Sequence, residues 1–298
     1  MGGDNYTNML TTSNYFDFNN GVLTRSKICD YRLDPNYFYR KHIKGEIEKE
    51  EKDAFKVGGA VDNLLAQIDN LPKYKVFEGD RRTKQGKEDY NNLIEEGAVI
   101  VNQKQYDQII YIADAVIRTS AYKHIKNWEK QKVLELKQQV GDYFTSIAGL
   151  PDFFNKDREV IDIVDLKTSR TVEDFKYHFH CIEYNYYVQA ALYCWLAKQF
   201  FPEVTEVNFY HLVVEKQEPY RVKVFKLSQS RIAIEETKLL NTIYDLSQDK
   251  KFAKSDADFI SCPTIGDPNP DSIAELFESD SKSIGNGYVS DGDSVDNS

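Results

Sequence analysis

The hydrophobic period of the sequence changes near residue 133, and this change restricts the fold more than any other feature. Before it, apolar side chains recur at helical spacing; after it, they alternate as in strands. Strands are predicted over 133–140, 143–150, 160–166, 204–214 and 220–227. Helices are predicted over 186–201 and 230–246. This order predicts an α/β (α+β) fold with a central mixed β-sheet flanked by helices.

A helical part precedes the strands. The segment 23–27 has the composition of a helix cap, and Asp34-Pro35 opens a second helix. Between Ala54 and Ile68 the apolar residues follow one helix face, where Gly58-Gly59 permits close approach of another backbone. The charged run 44–52 is expected on a solvated face or in a loop.

Charge divides the chain into two parts. Residues 263–298 hold eight acidic residues and one lysine, so they carry −7 of the formal net charge of −10. They are poor in apolar residues and cannot offset the entropy lost on ordering. We predict one domain over 1–262 and a disordered acidic tail over 263–298. The domain is nearly balanced in charge, which is compatible with a polyanionic substrate because such binding depends on local basic patches.

Several classes of protein are disfavoured by composition. No apolar run reaches the roughly 18–20 residues needed to cross a bilayer, and the first residues lack the pattern of a secretory signal. The four cysteines are scattered, without a Cys-x-x-Cys pair or a disulfide framework. We therefore expect a cytoplasmic protein with reduced thiols and no membrane association.

Two carboxylates and a lysine mark the candidate site. Asp165 and Lys167 are two residues apart on a predicted strand and project to the same side. Asp152 is expected on the preceding strand, with a turn at 155–158 that brings its carboxylate near Asp165. Paired carboxylates suit Mg²⁺ or Mn²⁺, which would activate a bound water that Lys167 orients. The pattern predicts a metal-dependent phosphodiester-cleaving site.

Simpler interpretations exist for each of these residues. Asp165 and Lys167 also fit an exposed cross-strand charge pair, and Glu135-Leu136-Lys137 repeats the acid-x-Lys spacing without a preceding Pro-Asp. The pair His178 and His180 invites a zinc hypothesis, but it lacks two further well-spaced ligands. We favour surface or packing roles for these histidines.

Taken together, the motifs resemble the PD-(D/E)xK nuclease superfamily. Gly149–Asp152, Asp165–Ser169 and Gln189-x-x-x-Tyr193 match its later motifs, in the RecB-like branch with a QxxxY helix. Within that branch the chain is most similar to phage-type exonucleases related to the RecE nuclease domain. The resemblance covers roughly residues 23–250 and implies a restriction-endonuclease-like core.

The resemblance also implies roles for individual residues. Asp152 and Asp165 would bind the metal, with the Leu166 carbonyl as a third ligand, and Lys167 would assist the attacking water. Gln189 and Tyr193 would support the site or contact the DNA strand. An upstream acidic residue often completes such sites, and Glu135 is the candidate.

This chain departs from the family in two respects. Where the glycine-led helix of this branch usually presents a histidine to the metal, the chain has Asp62, which is either an oxygen ligand or a helix-surface residue. Some relatives hold an iron–sulfur cluster with three closely spaced cysteines near the C-terminus. Here Cys181, Cys194 and Cys262 are far apart in sequence, so no cluster is expected.

The resemblance leads to an expected function. It implies an Mg²⁺-dependent DNA exonuclease, phage-encoded and working in a bacterial host, that degrades duplex ends 5′→3′ for recombination or replication. A single-strand annealing protein would be its partner, and a homo-oligomer is expected because such enzymes often form rings. The alternatives are a single-strand exonuclease, a structure-specific endonuclease, or a non-catalytic DNA-binding or partner-recruiting protein that keeps the nuclease fold.

Overall fold

The structure is a computed structural model, and it describes residues 10–11, 15, 21–47, 53–66 and 74–248. The predicted acidic tail and the domain boundary at 262 lie outside these residues. The strands are β1 Val22–Leu23, β2 Tyr74–Val76, β3 Val99–Val101, β4 Glu129–Lys130, β5 Leu134–Val140, β6 Phe144–Gly149, β7 Phe153–Asp157, β8 Val160–Ser169, β9 Glu206–Glu215 and β10 Val222–Lys226.

Helices cover both faces of the strand-rich part. They are α1 Arg25–Leu33, α2 Pro35–Phe38 with a π-helical turn Tyr39–Ile43, α3 Asp53–Ala66, α4 Lys84–Glu95, α5 Gln103–Ile117, α6 Ser120–Ile125, α7 Asp174–Glu183, α8 Tyr186–Phe200 and α9 Gln229–Gln248. Within the described ranges, none of these helices is long and apolar enough to cross a membrane.

The largest sheet is mixed, as predicted. Its strand order is β10-β9-β8-β7-β4, with β8 parallel to β9 and antiparallel to β7. A second sheet has the order β1-β6-β5, and β2 pairs with β3 separately. Strand β8 forms a hairpin with the strand on one side and is linked to the strand on the other side by a crossover connection. It is the central strand of this sheet, and it carries the candidate site.

The two faces of β8 explain why helices pack on both sides. Ile161 and Ile163 are fully buried in the core that includes α8, while Val164 and Leu166 are buried in the core that includes α3 and α5. A strand buried on both faces is typical of the parallel part of a helix-covered sheet. Helix α8 is itself buried over most of its surface, including the run Ala190–Ala197.

The N-terminal predictions are confirmed where the chain is described. Helix α1 begins at Arg25, inside the segment 23–27 that was predicted as its cap, and α2 begins at Pro35. The backbone N–H of Asn36 donates to the Asp34 carboxylate at 2.8 Å, which caps α2.

Three local predictions were wrong. Asp152 does not lie on a strand, because β6 ends at Gly149 and a separate strand, β7, begins at Phe153. The hairpin turn is at Arg158-Glu159 instead of 155–158, with Arg158 in the left-handed region (φ 52). Helix α7, over Asp174–Glu183, was not predicted.

Candidate active site

The site lies where β7 and β8 separate. Their antiparallel pairing ends at Phe153 opposite Val164, whereas β8 continues beside β9 as far as Ser169. Beyond this point β7 no longer pairs with the Leu166 N–H. The Asp152 carboxylate accepts a hydrogen bond from this N–H at 2.7 Å instead. Asp152 therefore takes the place of the missing strand, and its carboxylate is held beside the Asp165–Lys167 segment.

Asp165 and Lys167 project from this part of β8 towards each other. Asp165 is 2% exposed, and its Oδ2 forms an ion pair with the Lys167 ammonium. That ammonium also lies 4.9 Å from the centroid of the Tyr186 ring. The lysine is thus oriented by a carboxylate and an aromatic face, which excludes the simpler interpretation as an exposed charge pair.

The QxxxY helix supports Asp165 directly. Gln189 donates from Nε2 to Asp165 Oδ1 at 2.9 Å and to the Tyr193 hydroxyl at 3.3 Å. The Tyr193 ring packs against Gly149, where a Cβ would stand only 2.6 Å from a ring carbon. The glycine that precedes the Pro-Asp segment is therefore needed for close approach of the tyrosine that stands behind the site.

Asp62 reaches the site from helix α3. A Cβ at Gly58 would stand 3.4 Å from Thr168 Oγ1, so this part of the helix packs against the Thr168 side chain at the end of β8, whereas close approach of another backbone had been predicted. Burial raises the pKa of Asp62 to about 7, with the nearby Lys167 opposing and Asp165 adding to the rise. Asp62 thus lies within the electrostatic field of the site and is not an isolated helix-surface residue.

The site concentrates negative charge in a poorly solvated place. Burial raises the pKa of Asp152 well above its usual value, and the carboxylates of Asp165 and Asp62 raise it further. Burial alone would lower the pKa of Lys167, but Asp165, Tyr186 and Asp152 raise it above its usual value. Lys167 therefore remains an ammonium, and the surrounding carboxylates favour any added cation.

The donor set fits a hard divalent metal. Asp165 Oδ2 is buried, and the Lys167 ammonium is its partner among the described residues. Among the described residues, no group of three or more His, Cys, Asp or Glu side chains is placed to hold a metal ion. Mg²⁺ usually takes one or two carboxylates and keeps waters and substrate oxygens as other ligands, so an incomplete oxygen set suits it. Asp152 and Asp165 would hold it, with the Leu166 carbonyl and Asp62 as further candidates.

Glu135 has a different environment. It lies opposite Ala148 in the β5–β6 ladder, and its Oε1 pairs with Lys137 Nζ at 2.5 Å. The described hydrogen bonds and ion pairs of Glu135 do not include Asp152 or Asp165. Its role as an additional ligand stays a prediction of the family resemblance.

The histidines divide into two groups. His180 Nδ1 lies 3.0 Å from Ser169 Oγ, and His178 Nδ1 lies 3.1 Å from the Tyr187 hydroxyl, so each has its own partner. His211 was not predicted as a site residue, yet it lies opposite Asp165 in the β8–β9 ladder and is fully buried. Burial lowers the pKa of His211 well below its usual value, which keeps the ring neutral.

A tyrosine holds the neutral His211 ring in place. The Tyr177 hydroxyl lies 3.0 Å from His211 Nδ1. The available sequence signal was a histidine inside the largely apolar run 207–214. Its partner could not be inferred, because Tyr177 belongs to the helix that was not predicted.

Comparison with known proteins identifies the family and a similar fold. The sequence pattern of a family described as "PDDEXK-like domain of unknown function (DUF3799)" matches residues 36–258. No curated protein matches the chain. A crystal structure described as "Putative exonuclease" from Eubacterium rectale superposes with a TM-score of 0.55 at 17% identity, covering 90% of this chain and 98% of that one.

A second solved structure is less similar. The crystal structure of SSO0001 aligns with a TM-score of 0.28 at 14% identity, covering 64% of this chain and 86% of that one. That superposition is too poor to support a shared fold, whereas the first match shows the same mixed α/β fold.

Proposed function

Because the chain belongs to the PDDEXK-like family whose pattern matches residues 36–258, we propose that it is a metal-dependent deoxyribonuclease that hydrolyses phosphodiester bonds at DNA ends. Family and fold support a nuclease in general terms. The metal, the DNA substrate and the action at ends are the additional content of the proposal.

One observation supports the proposal most strongly. Asp152, Asp165 and Lys167 lie together where β7 and β8 separate, although no hydrogen bond of the β-ladder holds Asp152 at this place. The Leu166 N–H donates a hydrogen bond that holds the Asp152 carboxylate at the site, and Gln189 donates one to Asp165 at 2.9 Å. Burying a group of carboxylates around a lysine costs folding free energy. A group that is kept despite this cost indicates a functional site.

Each side chain has a role that follows from its contacts. Asp152 and Asp165 would bind a divalent cation, with Asp62 as a further candidate ligand, and the bound cation would supply Lewis-acid polarisation of a phosphate oxygen and of a water. Lys167 keeps its proton and stabilises negative charge that develops on the phosphate. Gln189 fixes the rotamer of Asp165, and Tyr193 fixes Gln189, so both act as positioning residues.

The finer function follows the family resemblance. We propose Mg²⁺ as the cation, with Mn²⁺ as a substitute, and degradation of duplex DNA in the 5′→3′ direction during phage recombination or replication. The proposed partner is a single-strand annealing protein, and the proposed assembly is a homo-oligomer. The description of the Eubacterium rectale structure as an exonuclease supports action at ends over internal cleavage.

The test uses end-labelled linear duplex, the same sequence as a closed circle, and a linear single strand, each with Mg²⁺ or with EDTA. Labels at the 5′ or 3′ end separate the two directions. We expect early release of 5′-terminal nucleotides from the linear duplex, only with metal, and an intact circle. Cleavage of the circle would identify an endonuclease, and inertness toward all DNA with Mg²⁺ and Mn²⁺ would favour the non-catalytic alternative.

A further inference from the structure

A cavity of about 390 Å³ opens on the far side of helix α8 from the carboxylates. It lies between α1, the end of α7, the start of α8 and the N-terminal half of α9. Its polar lining includes Arg32, Asn185, Tyr187, Arg231, Glu235 and Lys238. Three cations face one acid there, which is a local positive excess in a chain of formal net charge −10.

The arginine in the cavity wall has a donor to spare. Arg32 Nη1 pairs with Glu235, and its Nε donates to Thr242 Oγ1 at 2.8 Å. Its other terminal nitrogen, Nη2, is buried and has no hydrogen-bond partner among the described residues. A buried guanidinium N–H without an acceptor is costly, so an oxygen ligand in the cavity would be favoured.

Two further cations stand at the mouth of the cavity. Arg231 is exposed, and its guanidinium lies over the Tyr187 ring at 5.4 Å from the centroid. In the described part of the chain it has no ion-pair partner. Lys238 has a distant partner, Glu235 at 3.9 Å, and that acid is already paired with Arg32. Their charges are therefore available to an incoming anion.

The first turn of α8 connects this cavity with the candidate active site. Tyr187 and Val188 line the cavity, whereas Tyr186 and Gln189 contact Lys167 and Asp165. The two places are separated by about one helix diameter, roughly 10 Å. Phosphates along one strand of a duplex recur at roughly 3.4 Å of axis, so a strand that passes around the start of α8 would have phosphates spaced closely enough to reach both places.

We propose that this cavity binds a backbone phosphate of the substrate strand, a few nucleotides from the bond that is cleaved. The free Nη2 of Arg32, the guanidinium fork of Arg231 and the ammonium of Lys238 match the charge and the oxygen acceptors of a phosphodiester. The inference rests on the proposed nuclease function, since it assigns the cavity to the same nucleic-acid strand. A free phosphate ion has the same chemistry, and the experiment separates the two.

The test compares Arg231→Gln with a matched control, Arg158→Gln. Arg158 is exposed in the turn at the opposite end of β8, so the control removes the same charge away from the cavity. Binding of a labelled single-stranded oligonucleotide is followed by fluorescence anisotropy in EDTA over a range of salt concentrations. Without a divalent metal, binding is measured independently of cleavage. Inorganic phosphate is titrated at constant ionic strength as a competitor.

We expect Arg231→Gln to weaken binding roughly tenfold or more at low salt, as expected for loss of a charged hydrogen bond. The slope of log affinity against log salt should fall by roughly 0.7, one single-strand phosphate contact. Arg158→Gln should stay within about twofold of the wild type. Arg231→Lys should recover part of the affinity, because it restores the charge but not the fork.

Equal effects of Arg231→Gln and Arg158→Gln would overturn the inference. So would phosphate binding that depends on Arg231 while oligonucleotide affinity does not, since the cavity would then take a free anion. Cleavage by the wild type is assayed separately with Mg²⁺. If the wild type cleaves DNA and Arg231→Gln binds like the control, only this inference fails. If the wild type cleaves nothing, the proposed function fails, and the binding comparison still decides whether the cavity holds a nucleic-acid phosphate.

Discussion

Two segments of this molecule share one sequence pattern and have different surroundings. Glu135-Leu136-Lys137 on β5 and Asp165-Leu166-Lys167 on β8 each place an acid and a lysine on one side of a strand. On β5 the lysine side chain is 60% exposed and the pair is isolated; on β8 it is 15% exposed and lies among further carboxylates. The acid-x-Lys pattern therefore does not define a site, and the residues brought to it by other elements do.

The physical difference is the number of elements that meet at each segment. Asp165 and Lys167 are contacted or influenced by the α8 residues Tyr186 and Gln189 and by Asp62 of α3. Asp152, in the segment between β6 and β7, supplies the other carboxylate. Each of these features depends on packing between segments far apart in sequence. The following predictions pair a change at one segment with the equivalent change at the other.

The largest difference is expected for the acids. Asp165→Asn should reduce DNA cleavage by about a thousandfold or more, because a metal ligand supplies several kcal/mol of transition-state stabilisation. Glu135→Gln should change the rate less than about threefold, since its described ion-pair partner is Lys137. Initial rates on end-labelled duplex with Mg²⁺ measure both. Comparable losses in the two variants would make Glu135 the additional ligand that the family resemblance implies.

The lysines should differ almost as strongly. Lys167→Met should lower the rate by about a hundred- to a thousandfold, the usual cost of removing one preorganised charge from an active site. Lys137→Met removes an exposed ammonium and should leave the rate within about twofold. Circular dichroism of both variants checks that the fold is retained. A folded Lys167→Met protein with normal turnover would contradict the role given to this lysine.

The sequence was sufficient for the parts of this comparison that depend on local pattern. The strand that bears Asp165 and Lys167, the helix that bears Gln189 and Tyr193, and helix α3 with its glycine pair were all predicted. Each depends on periodicity, which a single segment displays by itself.

The remaining features of the site depend on contacts between segments. Asp152 was placed on a strand because the sequence does not show that Leu166 N–H needs a side-chain acceptor beyond the last ladder pair. Helix α7 was missed because its large apolar residues Phe175 and Phe179 point to solvent, which obscures its amphipathic pattern. His211 could not be recognised before its register opposite Asp165 was known.

A smaller effect is expected for the residue that positions Asp165. Gln189→Met removes the hydrogen bond to Asp165 Oδ1 while keeping the size of the side chain. Outer-shell partners of metal ligands typically contribute about ten- to a hundredfold, so the rate should fall within that range. Because the role is one of positioning, the apparent metal affinity should weaken in parallel, and Gln189→Glu should not restore it, since the new carboxylate would repel Asp165. Unchanged metal dependence alongside a lower rate would assign Gln189 to DNA contact instead.

The smallest signal is a thermal shift, and it tests the site without any turnover. Burial, and then the neighbouring carboxylates, raise the pKa of Asp152 and disfavour the metal-free site, so a divalent cation that binds only the folded state should stabilise it. At a hundredfold excess over its dissociation constant, the gain is about 2.7 kcal/mol, or several degrees in melting temperature for a domain of this size. The shift should vanish in Asp165→Asn, weaken in Asp62→Asn if Asp62 is a ligand, and persist in Glu135→Gln. Differential scanning fluorimetry with Mg²⁺, Mn²⁺ and a Na⁺ control of equal ionic strength measures it. An equal shift in wild type and Asp165→Asn would show that the cation binds elsewhere, and loss of the shift in Glu135→Gln would erase the distinction between the two acid-x-Lys segments.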